Sequence, residues 1–339
     1  MLGFFVFLGF IACIGFIIYI SHQFTYNTLK SDLTGKFIII TGASSGLGEH
    51  TAIEMIKSGA KVIFACRNET RAQASMNKLP ADLKSNATFI KLDLCSFESI
   101  KSFAETIKTK YPKIDILLNN AGAQPNKFNY TEDKMESFIQ GNHIGPVYLT
   151  FLLLDHFATN SKVICVSSCG HYYNDLNTNS HLILSDIEKV KEHYFKNFAG
   201  MLTLYGSSKL MNLYFAQYLA ELFKEKYPHI KSAALHPGFV NTNFFRYLDD
   251  IKYARAVVNK IQLFWNYISK STEQGAQTHL YLCYLPFDEL ESGGYYVECK
   301  RSLISRKAKN AEIRKTIMDW TISEITKRVD SDKLPEYKI

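Results

Sequence analysis

Short, continuous apolar runs alternate along this chain with longer stretches of helical periodicity. Phe37 to Thr41, Lys61 to Cys66, Thr88 to Leu92, Ile114 to Asn119, Lys162 to Ser167 and Ser232 to His236 are the short runs. They are almost without polar alternation, which is the pattern of strands buried on both faces. Between them the periodicity predicts helices near 47–58, 69–78, 97–110, 132–157 and 203–226. Buried strands separated by helices pair in parallel through right-handed crossovers. The expected fold is therefore a single doubly wound α/β domain over 36–300, with no internal repeat beyond the βα alternation.

Both ends depart from this pattern. Leu2 to Ile20 is an uncharged run rich in Phe and Ile, close to the ~20 residues a helix needs to cross a bilayer. It reads as a transmembrane anchor over 1–21 followed by a linker over 22–35. A cleaved signal peptide would show a basic start, a shorter apolar core and a small-x-small site, and these are not visible. Positive residues lie on the C-terminal side of the run, at Lys30 and Lys36. The positive-inside tendency then favours a cytosolic domain. Three sequons, at Asn68, Asn86 and Asn129, would be glycan acceptors if the domain were lumenal. The tail over 301–339 is basic, and a helix is expected from Arg301 to Arg328, serving packing or surface contact.

Composition narrows the partners. The 339 residues carry a net charge of +7, modest and dispersed, which argues against nucleic acid as a partner. The seven cysteines are odd in number and mostly embedded in apolar runs, so they read as reduced core residues rather than a disulfide framework. Cys165 and Cys169 lack further ligands at metal spacing, and no metal is expected.

The candidate chemistry begins where the first strand ends, at Thr41-Gly42-Ala43-Ser44-Ser45-Gly46-Leu47-Gly48. Glycines let backbone approach a pyrophosphate, and a helix N-terminus just beyond supplies free N–H groups and partial positive charge. The second strand ends at Cys66-Arg67-Asn68, where dinucleotide folds read the adenosine ribose. An arginine there pairs with a 2′-phosphate, so NADP(H) is favoured over NAD(H). Asp93, with Leu94 beside it, is placed to accept from the adenine amino group or to cap the next helix. Asn119-Asn120-Ala121-Gly122 closes the fourth strand with small residues that admit a cofactor. Tyr205 and Lys209 are four apart on a helical pattern, so phenol and ammonium face one pocket. A nearby cation is expected to favour the phenolate of a tyrosine whose free pKa is about 10.

Taken with Val166-Ser167-Ser168 and His236-Pro237-Gly238-Phe239-Val240-Asn241-Thr242, these motifs resemble the short-chain dehydrogenase/reductase family from about Lys36 to Val297. The resemblance implies a Rossmann-type domain and a catalytic tetrad of Asn142, Ser168, Tyr205 and Lys209. Ser168 rather than Ser167 would face the substrate, with Tyr205 as proton donor or acceptor. Lys209 would hold the nicotinamide ribose, and Asn142 a water leading to solvent. Cofactor contacts are implied for Gly42, Ser44, Ser45, Gly46, Leu47, Gly48, Arg67, Asn68, Asp93, Leu94, Asn120, Ala121, Gly122, Tyr205, Lys209, Pro237, Gly238, Val240 and Thr242.

A long insertion between Ser168 and Tyr205, and the stretch Asn142-His143-Ile144-Gly145-Pro146, resemble the membrane-bound retinol dehydrogenase branch, although Pro146 replaces an expected His. The aromatic-rich segment 243–270 corresponds to a substrate lid, with core packing or a homodimer contact as its alternative role. The implied activity is hydride transfer with a lipophilic alcohol, aldehyde or ketone. A retinoid comes first, and steroids, fatty aldehydes and isoprenoid alcohols stay open. The implied location is the endoplasmic-reticulum membrane. The competing reading is a non-catalytic, membrane-anchored dinucleotide sensor or interaction protein.

Overall fold

The computed structural model describes residues 25–123, 127–240 and 269–329. Within them an eight-stranded sheet runs in the order β3-β2-β1-β4-β5-β6-β7-β8. The strands are β1 (Phe37–Thr41), β2 (Lys61–Cys66), β3 (Ala87–Lys91), β4 (Ile114–Asn119), β5 (Phe157–Val166), β6 (Ile230–His236), β7 (Gly294–Val297) and β8 (Lys300–Arg301). The first seven are mutually parallel and β8 closes the edge antiparallel to β7.

Strand side chains alternate between two helical layers, as a period of two requires. Ile39 pairs with Ile63 and Leu117 in register, and all three enter one core. Ile38 and Ile40 enter the other. That second core is completed by α1 (Gly46–Lys57), through Ala52, Met55 and Ile56, and by α7 (Thr272–Tyr284). The first is completed by α3 (Phe97–Lys110), which buries Phe97, Ile100, Phe103, Ala104 and Ile107 at helical spacing. Each such side chain contributes roughly 1.5–3 kcal/mol when fully buried. The helix α2 (Glu69–Met76) links β2 to β3.

The helix expected over 132–157 is divided in the structure. Glu136 caps a short turn, accepting from Phe138 N at 2.9 Å and Ile139 N at 2.8 Å. A π-helical turn follows over Gln140–Ile144, then α4 (Gly145–Leu153), and β5 begins at Phe157. Single π turns recur at functional sites because they re-aim side chains within a helix, and this one contains Asn142. Its exit is tightly packed. A Cβ on Gly145 would lie 2.3 Å from the Leu94 carbonyl oxygen.

The insertion after β5 forms a turn at His181–Leu184 and then α5 (Ile187–Tyr194). The long α6 (Phe198–Lys226) follows, with its N-cap Asn197 accepting from Gly200 N at 2.9 Å. The basic tail contains α8 (Ala311–Thr326), which buries Ile313, Ile317, Met318 and Ile325 in the first core, so its role is packing. Lys162, buried on β5, donates to the carbonyls of Leu282 and Cys283 at 3.0 Å each and to that of Leu285. These close the C-terminal end of α7, whose last carbonyls have no intrahelical partner, and burial pushes the amine down to about 8.

Among the described residues no helix is long and apolar enough to cross a membrane. The span expected at Leu2 to Ile20, Thr242 and nearly all of the expected lid over 243–270 lie outside the described residues.

Candidate active site

The C-terminal ends of the parallel strands gather the predicted residues at one edge of the sheet, where doubly wound folds hold their ligands. At the end of β1, Gly42 has φ +70° and Gly46 φ +59°. A Cβ on Gly42 would lie 3.0 Å from Ala121 Cα, and one on Gly48 would lie 2.4 Å from Asn120 Nδ2. Asn120 Nδ2 donates to Thr41 O at 2.8 Å, and Ala121 N donates to Thr41 Oγ1 at 2.9 Å. The ends of β1 and β4 are thus stitched together under the loop. Gly46 has nothing within 4 Å of where its Cβ would stand, and Ser45 makes no side-chain cap on α1. An open approach to uncapped helix N–H groups fits a dinucleotide pyrophosphate.

Around the expected adenosine position, Arg67 is exposed at the end of β2. Asn68 caps α2, accepting from Arg71 N at 2.9 Å. Asp93 accepts from Cys95 N at 2.9 Å through one carboxylate oxygen. It does not cap α3, because Ser96 does, accepting from Ser99 N at 3.2 Å. Leu94 is buried.

The tetrad residues converge. Ser168 Oγ and the Tyr205 ring meet over Gly170, where a Cβ would lie 3.4 Å from the one and 3.1 Å from Cε1 of the other, and Lys209 Nζ lies 5.7 Å from the centre of the Tyr205 ring. Ser167 donates to Lys209 O at 2.6 Å. Ser168 also accepts from Gly170 N at 3.0 Å. Asn142 is fixed at both ends of its amide by Ala123, accepting from N and donating to O at 2.9 Å each. A Cβ on Gly122 would approach Lys209 Nζ to 3.2 Å and Asn142 Oδ1 to 3.8 Å, so these groups surround one small space.

The electrostatics differ from the expectation that Lys209 lowers the pKa of Tyr205. Burial raises the phenol, and the Ser168 hydroxyl only partly offsets this. Burial also pushes Lys209 down to about 8, and its Nζ donates to Val166 O at 3.2 Å rather than to the phenol. Low-dielectric surroundings disfavour both charged forms. His236, buried nearby, is pushed down to about 3 by burial and by Lys270, His171 and Lys209. Its ring is therefore neutral.

Several supporting residues were not legible in the sequence. Val166 O also accepts from Asn212 Nδ2 at 3.3 Å. Asn212 Oδ1 lies 3.3 Å from His143 Nδ1, and His143 Nε2 lies 2.9 Å from Thr321 Oγ1. Asn212 can donate to Val166 O while accepting from His143 Nδ1–H, and Nε2 then accepts from Thr321 only when that hydroxyl turns away from Ile317 O, its acceptor at 2.8 Å. This arrangement needs a neutral ring, and burial pushes His143 down to about 4. Asp175 ties the insertion to the Tyr205 helix, accepting from Ser207 Oγ and from the Tyr194 hydroxyl at 3.0 Å each. No spacing rule links such distant partners.

Pro237 and Gly238 follow β6, and Val240 forms an isolated parallel bridge with Lys270. Lys270 is ion-paired with Glu298 and fills the space a Cβ on Gly238 would need. A Cβ on Gly275 of α7 would lie 2.4 Å from Val240 Cγ2 and 2.8 Å from Leu47 Cδ2. This glycine lets α7 draw the loops after β1 and β6 together.

Comparison with known proteins agrees with this arrangement. Residues 36–176 match the family described as short chain dehydrogenase. Mouse retinol dehydrogenase 14 is 32% identical over 304 residues, covering 86% of this chain and 85% of that one. Mouse retinol dehydrogenase 12 is 33% identical over 305 residues, covering 87% of each. Among solved structures, an uncharacterized protein from Mycobacterium paratuberculosis superposes with a TM-score of 0.66 at 25% identity, covering 88% of this chain and 96% of the other.

Proposed function

The chain belongs to the short-chain dehydrogenase/reductase family, in its retinol dehydrogenase-like branch, and from that premise we propose an NADP(H)-dependent oxidoreductase that interconverts a lipophilic alcohol and its carbonyl, a retinoid first. The observation that carries the reading is the gathering of Ser168 Oγ and the Tyr205 ring around Gly170, with Lys209 Nζ 5.7 Å from the ring centre.

Ser168 would hold the substrate oxygen against the phenol. Tyr205 is a neutral donor, because burial keeps its proton on at physiological pH, and it gives that proton to the carbonyl oxygen in reduction. When bound, the nicotinamide supplies or accepts the hydride at the substrate carbon. Lys209, buried and near a pKa of about 8, would hold the ribose hydroxyls and offset the charge left on Tyr205. Asn142, pinned by Ala123, orders the backbone at the π turn, where a water would connect Lys209 to solvent. The open space at Gly46 and the uncapped start of α1 would receive the pyrophosphate. Asn68 already serves α2 as its cap, and Arg67, exposed at the end of β2, would read the 2′-phosphate. The aliphatic and aromatic preference of the substrate rests on the branch resemblance and on the uncharged residues of 243–270.

A charge reversal tests the cofactor reading. For Arg67→Glu the KM for NADPH is expected to rise about 10- to 100-fold, from the loss of one charge-assisted bond worth roughly 1.5–3 kcal/mol. The KM for NADH should change little or fall. Initial rates with retinal, a steroid ketone and a fatty aldehyde, each with both cofactors, provide the measurement. A wild-type enzyme faster with NADH would remove the role given to Arg67.

A further inference from the structure

The carbonyl that holds Lys209 is shared. Val166, the last residue of β5, accepts at its backbone oxygen from Lys209 Nζ at 3.2 Å and from Asn212 Nδ2 at 3.3 Å. Asn212 stands three residues after Lys209 on α6, so the two side chains are neighbours on one helix face, and both are buried. A carbonyl oxygen offers two lone pairs. With Asn212 on one of them, Lys209 is confined to the other. An ammonium has three donors, and fixing the direction of one aims the remaining two. Those two are the donors that ribose hydroxyls and the Tyr205 oxygen can use.

Asn212 can act in this way in one orientation only. A carbonyl cannot donate, so the amide must turn Nδ2 to Val166 O, and its Oδ1 then faces His143 Nδ1 at 3.3 Å. An acceptor there requires the proton on Nδ1. His143 thus decides which way the Asn212 amide points. The imidazole is held in turn: it is fully buried, lies edge-on to the Phe215 ring with centroids 6.5 Å apart, and has Thr321 Oγ1 2.9 Å from Nε2. It also belongs to the π turn, next to Asn142. One residue therefore links the turn that carries Asn142 to the carbonyl that holds Lys209.

We propose that His143 and Asn212 are positioning residues for Lys209. His143 Nδ1–H sets the Asn212 amide, Asn212 occupies one lone pair of Val166 O, and Lys209 is thereby aimed at the cofactor ribose and the phenol. This role serves the proposed reaction and rests on that reading. Simple pairing of buried polar groups would instead make the contact with Thr321 on α8 the one that matters.

The two ring nitrogens can be replaced one at a time. In His143→Asn the amide nitrogen stands near the place of Nδ1 and keeps a donor for Asn212, while the contact with Thr321 is lost. In His143→Gln the longer amide reaches toward Thr321 and the donor at Nδ1 is lost. Asn212→Leu removes the donor to Val166 O with little change of shape. The full chain carrying each substitution is measured for Tm, for turnover of retinal, and by calorimetry for the Kd of NADPH or NADH, whichever the wild type binds more tightly. Asn212→Leu and His143→Gln are expected to raise that Kd about 3- to 10-fold, the loss of roughly one hydrogen bond from Lys209. Turnover should fall about 10- to 100-fold, as it does when a catalytic group is slightly misplaced. His143→Asn should recover most of both losses. The reverse order of the two His143 variants would assign the histidine to the docking of α8 and overturn the proposal. Equal effects of the two, or wild-type Kd and turnover in Asn212→Leu, would overturn it as well. Where a His143 variant fails to fold, Asn212→Leu decides: a raised Kd at unchanged Tm supports the proposal and an unchanged Kd sinks it. The Kd series reads Lys209 without turnover, so a wild type that binds cofactor and reduces no carbonyl defeats the proposed reaction and leaves this test standing.

Discussion

Tyr205→Phe is expected to lower turnover by about 10²- to 10⁴-fold, the range typical of removing a positioned acid or base, while the dissociation constant for NADPH changes by less than about threefold, since one ribose contact at most is lost. The substitution deletes a single oxygen and keeps the ring that packs against Gly170, where a Cβ would lie 3.1 Å from Tyr205 Cε1. Structure and cofactor site should survive, which isolates the proton transfer. Stopped-flow rates of NADPH oxidation, paired with calorimetric titration of NADPH, separate the two quantities. A variant retaining a tenth or more of wild-type turnover would remove Tyr205 from the chemistry. The pH profile adds a direction. Reductive turnover should fall as pH rises through about 8, where Lys209 gives up its proton, because the cation that offsets the developing tyrosinate is then lost.

The second large effect is expected from Gly206→Ala. A Cβ at this position would lie 1.6 Å from Tyr173 O and 2.6 Å from Gly170 O. Both are backbone atoms of the turn after Ser168, so neither can swing away as a side-chain tip would. Either α6 moves off the turn or the turn refolds, and overpacking of this kind costs about 1–3 kcal/mol or more. For a domain of this size that corresponds to a fall in Tm of roughly 2–6 °C. Activity should be lost more completely than stability, because the displaced turn carries Ser168 and bears on Tyr205. Thermal unfolding and turnover measured on the same preparation provide the test. An unchanged Tm with unchanged turnover would mean that the close approach of α6 to this turn is not required.

The contrast between these positions shows what was legible in the sequence. Tyr205, Lys209 and the glycines of the first loop are chemically explicit, and their order along the chain is enough to make them candidates for a dinucleotide site. The six predicted strands appear within a few residues of their expected bounds because a strand buried on both faces writes itself as an unbroken apolar run. The choice between Ser167 and Ser168 rests on the family resemblance; in the structure the Ser167 hydroxyl is taken up by Lys209 O and that of Ser168 accepts from Gly170 N.

Other features carry no local signature. The π turn at Gln140–Ile144 interrupts a segment whose periodicity reads as one helix, because one extra residue in a turn hardly alters an apolar pattern. The hydrogen-bonded run from Thr321 through His143 to Asn212 joins residues far apart in sequence. Only the docking of α8 on α6 brings them together. The raised pKa of Tyr205 was misjudged from the charge of Lys209 alone, since the desolvation that raises it depends on packing. Gly275 looks like an ordinary helix residue until Leu47 and Val240 are seen against it.

The reaction proposed for this site moves a hydride between a nicotinamide and a lipophilic carbonyl or carbinol carbon. The direct measurement incubates the purified full chain, in lipid vesicles, with NADPH carrying deuterium at C4 in each stereochemical position in turn, and with retinal, a steroid ketone or a fatty aldehyde. Mass spectrometry of the alcohol reads the outcome. The account predicts one deuterium on the carbinol carbon of at least one product, transferred from one of the two stereoisomers only, and its disappearance in Tyr205→Phe. Tight NADPH binding with no deuterium in any alcohol would contradict it and would favour a protein that senses the cofactor without using it.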